Sequence, residues 1–395
     1  MPPTDPDPCH PNPLFPSAAQ FIEQTHNITA SLADSALQDD LKALTSFHTR
    51  HYRTSSGRDA ALWIQKRLKS VPSGATNTTV ELFQHGWKQP SVIARIPGVS
   101  NTTVILGAHI DSVNMYLPFF LAAPGANDDA SGVVALLSVF DALSRSLLSP
   151  TNTIELQFYA AEEAGFWGSA EVLSSYNNAH RDVHSVLQFD MIGRMASKEK
   201  PAVGIVIDYL PASFNKYLKL LVSTYLDIPA VDTACGYACS DHASAIRYGY
   251  AGGLVTAGRL EASAAEDVSH TGSDTMERIY IDHVMEFTKL GVAYAYELGF
   301  ADLGATAGGG STGMRGYTCD LGYPDGWLGD VRRFAAARAT DPLGFALWFL
   351  AVVILLALAR PWEEVPWLMR MGRRVKRVFR RRSRSLYTKV AARDD

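Results

Sequence analysis

The sequence predicts an α/β protein with a mostly parallel central sheet, covered by helices on both faces, and a C-terminal transmembrane helix. Three observations on the 395-residue chain indicate this architecture. Short strand-like runs alternate with helix-length periodic segments through most of the chain, a pattern typical of parallel sheets. Acidic residues and histidines follow several of these runs, where such folds bind ligands. An uncharged apolar run near the C-terminus precedes a strongly basic block.

The first part of the chain predicts two helices and three strands. Residues 1–38 begin with a proline-rich stretch and are predicted to be irregular. Helices are expected at residues 39–47 and 59–68, on either side of a turn. Strands are expected at residues 80–83, 92–96 and 103–106, and Gly107 and Ala108 are interpreted as a turn after the third strand.

The alternation continues further along the chain. Helices are predicted at residues 131–148, 167–179 and 214–226, and strands at residues 153–159, 185–189 and 203–208. Together with the preceding elements, these segments indicate one large domain over residues 39–300.

After residue 300 the composition changes. Residues 301–342 are interpreted as a linker, rich in glycine between residues 304 and 316. Residues 343–359 form an uncharged apolar run, and we expect a transmembrane helix there, although a buried core helix is the alternative. The basic segment 360–395 favours the span, because positive charge beside a span marks its cytoplasmic side. The preceding domain is then lumenal or extracellular.

Charge is distributed unevenly along the chain. The formal net charge is −4, from 36 Lys+Arg and 40 Asp+Glu. Residues 360–395 contain 12 Lys+Arg and 4 Asp+Glu, so the part before them keeps 24 basic and 36 acidic residues, a charge of −12. A nucleic-acid partner requires basic charge on the folded domain. We therefore predict no nucleic-acid binding, and the sequence leaves the oligomeric state open.

Three acceptor sequons for N-glycosylation begin at Asn27, Asn77 and Asn101, in agreement with passage through the secretory route. The N-terminal residues contain neither a basic segment nor an apolar core of a signal peptide. We therefore expect the natural precursor to begin upstream of Met1. An oxidising compartment allows disulfides, and the chain has four cysteines.

Residues with metal-binding side chains follow the predicted strands. His109 and Asp111 lie just after the third strand, where an imidazole can bind a metal and a nearby carboxylate can orient it. Asp128 and Asp129 precede the long helix, and two carboxylates exceed what a helix cap needs. Taken alone, His109 and Asp111 could be ordinary surface residues near a strand end. Asp128 and Asp129 alone could serve as a helix cap.

Glu162 and Glu163 end another apolar strand, with no lysine or arginine nearby in sequence. A solvated loop is the simple interpretation, but one glutamate could bind a metal while the other serves as a general base. Asp190 follows a further strand, and His270 lies in a polar loop. Five ligand-type residues and a spare glutamate are difficult to explain by packing.

These motifs, in this order, resemble those of peptidase family M28, especially the leucine-type aminopeptidases of fungi and bacteria. The resemblance extends from about Leu41 to Leu298 and includes the approach segment 44–52. It implies a zinc-exopeptidase-like fold and two zinc ions per chain. It also implies peptide substrates with a free N-terminus, and preference for an apolar N-terminal residue.

The resemblance also implies a role for each residue. His109 and Asp190 would hold one zinc ion, Glu163 and His270 the other, and Asp128 would bridge both. The Asp128–Asp129 peptide bond would be cis. Glu162 would act as general base and acid, and Asp111 would orient His109.

The segment that contains Cys235, Tyr237 and Cys239 also resembles these aminopeptidases. By that resemblance the two cysteines form a disulfide beside the substrate pocket, Tyr237 faces the reacting carbonyl and Met191 contacts the substrate. Without the resemblance, a zinc knuckle or two free thiols would be alternatives, although no second cysteine pair has knuckle spacing. Residues 258–269, which help to wall the pocket in the leucine-type relatives, are short of aromatic side chains here.

Other functions on the same fold remain as alternatives. A glutaminyl cyclase is a one-zinc acyltransferase and would lack the full ligand set. A carboxypeptidase or dipeptidase would keep the metals and bind the substrate differently. An inactive receptor or scaffold domain would have no reason to keep the ligands.

Overall fold

A central sheet of eight strands forms the middle of the domain in the computed structural model, which describes residues 15–72, 78–146, 149–197 and 199–303. Across the sheet the strands follow the order β1-β2-β4-β3-β5-β8-β6-β7. In chain order they are β1 Thr79–Phe83, β2 Ser91–Ile96, β3 Thr103–His109, β4 Thr153–Tyr159, β5 Val183–Phe189, β6 Val203–Val206, β7 Ala230–Thr233 and β8 Ala251–Ala257.

Four of the seven strand pairings are parallel, and β4, β3, β5 and β8 form one continuous parallel block. The pairings of β1 with β2, β2 with β4 and β6 with β8 are antiparallel. The mostly parallel sheet predicted from the sequence is therefore confirmed for its centre. In a parallel block all carboxyl ends meet at one edge of the sheet, which is where ligands bind.

Helices cover both faces of the sheet, as predicted. Alternate side chains of β3 point to opposite faces. Val104 and Leu106 join the core that contains helices α4 and α9, whereas Ile105 packs with residues of α5 and α7. The helices are α1 Ile22–Thr29, α2 Asp34–Thr45, α3 Ser55–Lys69, α4 Ser131–Ser146, α5 Trp167–Asn178, α6 Ala212–Tyr225, α7 His242–Arg247, α8 Leu260–Ser263 and α9 Ile281–Phe300.

The N-terminal segment is more regular than predicted. Residues 1–38 were expected to be irregular, which is wrong for α1 and for the start of α2 at Asp34. Helix α1 is short and depends on tertiary contacts: Thr25 and Ile28 are buried, and the buried Glu297 carboxylate of α9 accepts the backbone N–H groups of Gln20 and Phe21. Such long-range contacts leave no local sequence signal.

The turn predicted at Gly107 and Ala108 is also wrong, because β3 continues to His109. Both residues pair with β4, opposite Gln157 and Phe158. A Cβ atom on Gly107 would lie 2.3 Å from Gln188 Oε1, so this glycine permits a close approach inside the sheet and does not mark its end.

Residues 304–342 of the predicted linker 301–342, the predicted transmembrane helix 343–359 and the basic tail 360–395 lie outside the described residues. So do Asn77 and the last two residues of the helix predicted at residues 131–148. Within the part of the chain that the structure describes, no helix has the length and apolar character needed to cross a membrane.

Candidate metal centre

The five predicted metal ligands converge at the carboxyl edge of the parallel block. His109 is the last residue of β3, and Asp190 directly follows β5. Glu163 lies in the turn after β4, Asp128 in the turn that leads into α4, and His270 in the loop after α8. Strand ends that are distant in sequence thus bring these side chains together.

Asp128 lies between the two histidines. Its Oδ1 atom is 3.0 Å from His109 Nε2, and its Oδ2 atom is 3.1 Å from His270 Nε2. Each histidine also has a carboxylate of its own: Asp190 Oδ1 is 3.7 Å from His109 Nε2, and Glu163 Oε2 is 2.9 Å from His270 Nε2. The arrangement is that of two neighbouring ligand groups which share one carboxylate.

The donor set fits metal ions. Glu163 Oε1 and Asp190 Oδ1 are buried and have no hydrogen-bond partner among the described residues, and His109 Nε2 faces only carboxylate oxygens. Buried polar atoms are normally satisfied, so these atoms require an explanation. A metal ion supplies one, because imidazole nitrogen and carboxylate oxygen are the ligands that zinc takes in enzyme sites.

Asp129 lies close enough to His109 and Asp190 to count as a further ligand. However, its carboxylate is already bound by backbone amides: Oδ2 accepts from His109 N at 3.2 Å, and Oδ1 accepts from Gly132 N at 3.0 Å. We therefore interpret Asp129 as a residue that fixes the backbone of its neighbours. The Asp128–Asp129 peptide bond is cis, as the resemblance implied.

Asp111 is bound differently from what was predicted. His109 Nδ1 donates to the backbone carbonyl of Asp111 at 3.0 Å, whereas the Asp111 carboxylate is 3.7 Å away. A carbonyl can only accept, so this bond directs His109 Nε2 towards the acids. The Asp111 carboxylate instead accepts from the amides of Glu162 and Glu163, at 3.0 and 3.2 Å. It therefore positions the turn that contains both glutamates.

The acidic side chains around the site favour positive charge within it. Burial lowers the pKa of His109, but the charge of Glu162 and the side-chain interactions with Asp111, Asp128 and Asp190 outweigh it and raise this pKa well above 6.5. Burial raises the pKa of Glu163 to about 7 and that of Glu162 well above 4.5. The cluster of acids thus favours positive charge at the positions where cations would bind.

Comparison with known proteins identifies the family. The model of peptidase family M28 matches residues 91–295. The chain is 41% identical to leucine aminopeptidase 1 of Ajellomyces dermatitidis over 299 residues. The matched stretch covers 73% of this chain and 77% of that protein. It is 42% identical to leucine aminopeptidase 1 of Penicillium rubens, with the same coverage of both chains. The chain belongs to peptidase family M28.

A solved structure agrees with this M28 assignment. The crystal structure of the LapA aminopeptidase of Legionella pneumophila is 28% identical to the chain and superposes with a TM-score of 0.65. The match covers 72% of this chain and 76% of the LapA chain. The similarity therefore includes most of the described domain.

Several residues of this M28 peptidase support the centre without being predicted. Asp274 accepts from the amides of Asn127 and Asp128, at 2.9 and 3.0 Å, and so holds the backbone of the shared aspartate. Ser240 donates to Asp190 Oδ2 at 2.6 Å, which leaves Oδ1 to face His109. Asp274 lies four residues after His270 and Ser240 directly follows Cys239, but only the fold shows what they contact.

Arg50 is a buried cation beneath the centre. It is fully buried, and its guanidinium donates to the carbonyls of Ile110 at 2.7 Å and Gly125 at 2.9 Å, and to that of Pro124. These carbonyls belong to the segments that precede Asp111 and Asp128. Arg50 therefore ties the two segments together and places a fixed positive charge among the acids.

The substrate-side predictions are partly accounted for by the geometry. Cys235 and Cys239 form a disulfide, which confirms that prediction. Met191 directly follows Asp190, and its backbone N–H donates to Asp129 Oδ1 at 3.3 Å. Tyr237 is half-buried within the disulfide loop. Their contacts with substrate stay predictions.

Proposed function

We propose that this M28 peptidase is a di-zinc aminopeptidase that hydrolyses the N-terminal peptide bond of peptides, with a preference for apolar N-terminal residues. The observation that carries the proposal is the position of Asp128 between His109 and His270, each of which has a further carboxylate. A carboxylate shared by two ligand groups suits two metal ions about 3.5–4 Å apart.

In the proposed mechanism His109, Asp190 and Asp128 hold one zinc ion, and Asp128, Glu163 and His270 hold the second. When bound, the pair supplies Lewis acidity towards water and the scissile carbonyl. Glu162 takes the proton of the attacking water and returns it to the leaving amine. Burial raises its pKa well above the ordinary value of a glutamate, which favours a group that both accepts and returns a proton.

Three residues keep Glu162 and the ligands in place. Asp111 fixes the turn of Glu162 and Glu163 through two backbone amides, and Asp274 fixes the backbone at Asp128. Ser240 orients Asp190. Rigid support of this kind matters because catalytic groups must be held within a fraction of an ångström of their working geometry.

We further propose that the substrate's N-terminal side chain lies beside Met191, Tyr237 and the Cys235–Cys239 disulfide. Met191 directly follows Asp190, and Ser240, next to Cys239, donates to the Asp190 carboxylate. The free amine would bind at the metal centre, among the acids. Binding of the free amine there restricts cleavage to the N-terminal end of the substrate peptide.

The test is hydrolysis of a leucine-initiated peptide by the zinc-loaded protein, with the N-terminus free or acetylated. We expect release of free leucine from the first peptide and no reaction with the second. Release of residues from the other end of the acetylated peptide would indicate a carboxypeptidase. Cyclisation of an N-terminal glutamine in place of hydrolysis would indicate a glutaminyl cyclase, and no turnover of any peptide would indicate an inactive scaffold.

A further inference from the structure

A cleft with aromatic walls lies outside the metal centre. It has a volume of about 300 Å³ and is lined by Tyr52, Arg53, Gly86, Trp87, Lys88 and Trp167. The rings of Tyr52, Trp87 and Trp167 lie within 6 Å of one another: the centroids of Tyr52 are 5.7 Å from Trp87 and 5.8 Å from Trp167, and the two tryptophans are 5.9 Å apart. Trp167 is 40% exposed, so an apolar surface is open to solvent.

The cleft is firmly built from three separate segments. Gln89 N donates to the carbonyl of Tyr52 at 3.0 Å, which joins two of the walls. His85 stacks on Trp87 with ring centroids 4.6 Å apart, and its imidazole also contacts Glu171 of α5 at 2.6 Å. Because each wall is anchored, a ligand would meet a preformed surface.

Two of these segments also position catalytic groups. Trp167 begins α5 directly after the turn of Glu162 and Glu163, and its N–H donates to the Ala161 carbonyl at 3.1 Å. Tyr52 follows Arg50, whose guanidinium binds the carbonyl of Ile110. The cleft therefore shares two backbone segments with the proposed active site.

The strand order places the cleft and Met191 on opposite sides of β3. Trp87 lies between β1 and β2, and Trp167 follows β4. Met191 follows β5, on the other side of β3, which carries His109. By contrast, Phe166, directly before Trp167, packs against the cluster that contains Ala238 of the disulfide loop. A peptide whose first side chain lies beside Met191 and which crosses the centre reaches the β4, β2 and β1 side.

The cleft carries two cations at its rim. Arg53 and Lys88 are exposed, and neither forms an ion pair with any residue in the described ranges. The guanidinium of Arg53 lies 5.2 Å from the centroid of the Tyr52 ring, which keeps it over the aromatic wall. Uncompensated cations are notable in a part of the chain with a net charge of −12.

We propose that this cleft binds the residues downstream of the scissile bond. Tyr52, Trp87 and Trp167 take an apolar or aromatic side chain, and Arg53 and Lys88 bind a carboxylate, above all the free C-terminus of a short peptide. The enzyme would then favour oligopeptides over long chains or blocked ends. This inference rests on the proposed aminopeptidase function, because it requires a peptide that enters with its N-terminus at the metal centre.

The test uses leucyl-(glycyl)n-phenylalanine peptides with one to three glycines, each as free acid and as C-terminal amide. For at least one length we expect kcat/KM to be about three- to tenfold higher for the acid, the size of effect that a few exposed charge pairs produce. The Arg53→Gln/Lys88→Gln variant should lose this preference. The matched Lys42→Gln/Lys216→Gln variant removes the same charge from other exposed sites and should keep it.

A third peptide separates the two sources of carboxylate. An amidated peptide that ends in glutamate offers a side-chain carboxylate in place of the terminal one, and a rate equal to that of the acid would also support the cleft. Equal rates for acid and amide at all lengths, or a preference that survives in the Arg53→Gln/Lys88→Gln variant, would overturn the inference. Failure of the parent to cleave any of these peptides would instead contradict the proposed function.

Discussion

At the scale of single residues, backbone groups position the centre as much as the ligand side chains define it. The sequence predicted which side chains come together, because histidines and acids follow the strands. It could not predict their orientation: the Asp111 carboxylate binds amides of the glutamate turn, while its carbonyl orients His109. Asp274 and Arg50 escaped prediction because nothing in a sequence distinguishes a buried aspartate or arginine from an exposed one.

Replacement of Glu162 by glutamine tests the proton carrier. The variant should keep its zinc, because Glu162 is not in either ligand group, and should lose at least about 10²-fold in kcat, the low end for general acid–base catalysis. The assay compares turnover and zinc content on one sample, with the exposed Glu81→Gln as control. Turnover near that of the parent at full zinc content would remove Glu162 from the mechanism.

Replacement of Asp128 by asparagine tests the shared ligand. A neutral amide bridges two cations poorly, so zinc affinity should fall and activity with it. Titration with a competing chelator measures the affinity, and Asp39→Asn in an exposed position of α2 serves as the matched control. If Asp128→Asn retains both ions as tightly as the parent, Asp128 does not bridge them.

Replacement of Asp274 by alanine tests support from outside the ligand set. Loss of its two bonds to the amides of Asn127 and Asp128 should weaken zinc binding by about 10- to 100-fold, as expected when a group that orients a ligand is removed. Added zinc should restore part of the activity of the Asp274→Ala variant. The control variant Asp39→Ala should be fully active without added zinc. An Asp274→Ala variant with unaltered zinc affinity would show that the turn holds its shape without this carboxylate.

At the scale of elements, prediction succeeded where local pattern and tertiary role agree. Strands β2 to β5 are rich in buried apolar side chains, and their positions agree with the sequence to within a few residues. Strand β8 was not predicted from the sequence because it contains Gly252 and Gly253, and glycine has a low strand propensity. A Cβ atom on Gly252 would lie 2.4 Å from the His242 carbonyl, so glycine is needed where α7 packs on the sheet.

Helix α9 fixes the N-terminal segment through one buried carboxylate, which can be tested. Glu297 accepts from Gln20 N and Phe21 N, both at 2.9 Å, and from the Tyr225 hydroxyl. Glu297→Ala leaves these donors without a partner and should lower the free energy of unfolding by about 2–4 kcal/mol. Denaturant unfolding measures the effect, and Glu23→Ala at an exposed position of α1 should cost less than about 0.5 kcal/mol. Similar values for the two variants would contradict this role.

At the scale of the whole molecule, the chain joins an M28 peptidase domain to a C-terminal region for which only the sequence argues. We propose that residues 343–359 span a membrane, with the basic segment 360–395 in the cytoplasm and the peptidase domain on the other side. Asn27 and Asn101 are exposed on the domain and therefore accessible to glycosylation.

The topology is tested by expression of the full chain behind a cleavable signal peptide in a host with a secretory pathway. We expect a mass decrease on enzymatic deglycosylation, and a tail that protease removes from intact cells only after the membrane is opened. Asn27→Gln/Asn101→Gln should abolish or reduce the mass decrease. Protein recovered without glycans and without membrane association would contradict the proposed orientation.

The most direct test of the central claim is the number of zinc ions bound per chain. The purified protein is loaded with zinc, dialysed against metal-free buffer and measured by elemental analysis against its protein concentration. Two ligand groups that share Asp128 predict two zinc ions per chain. A value of one or zero for folded, fully loaded protein would contradict the di-zinc centre.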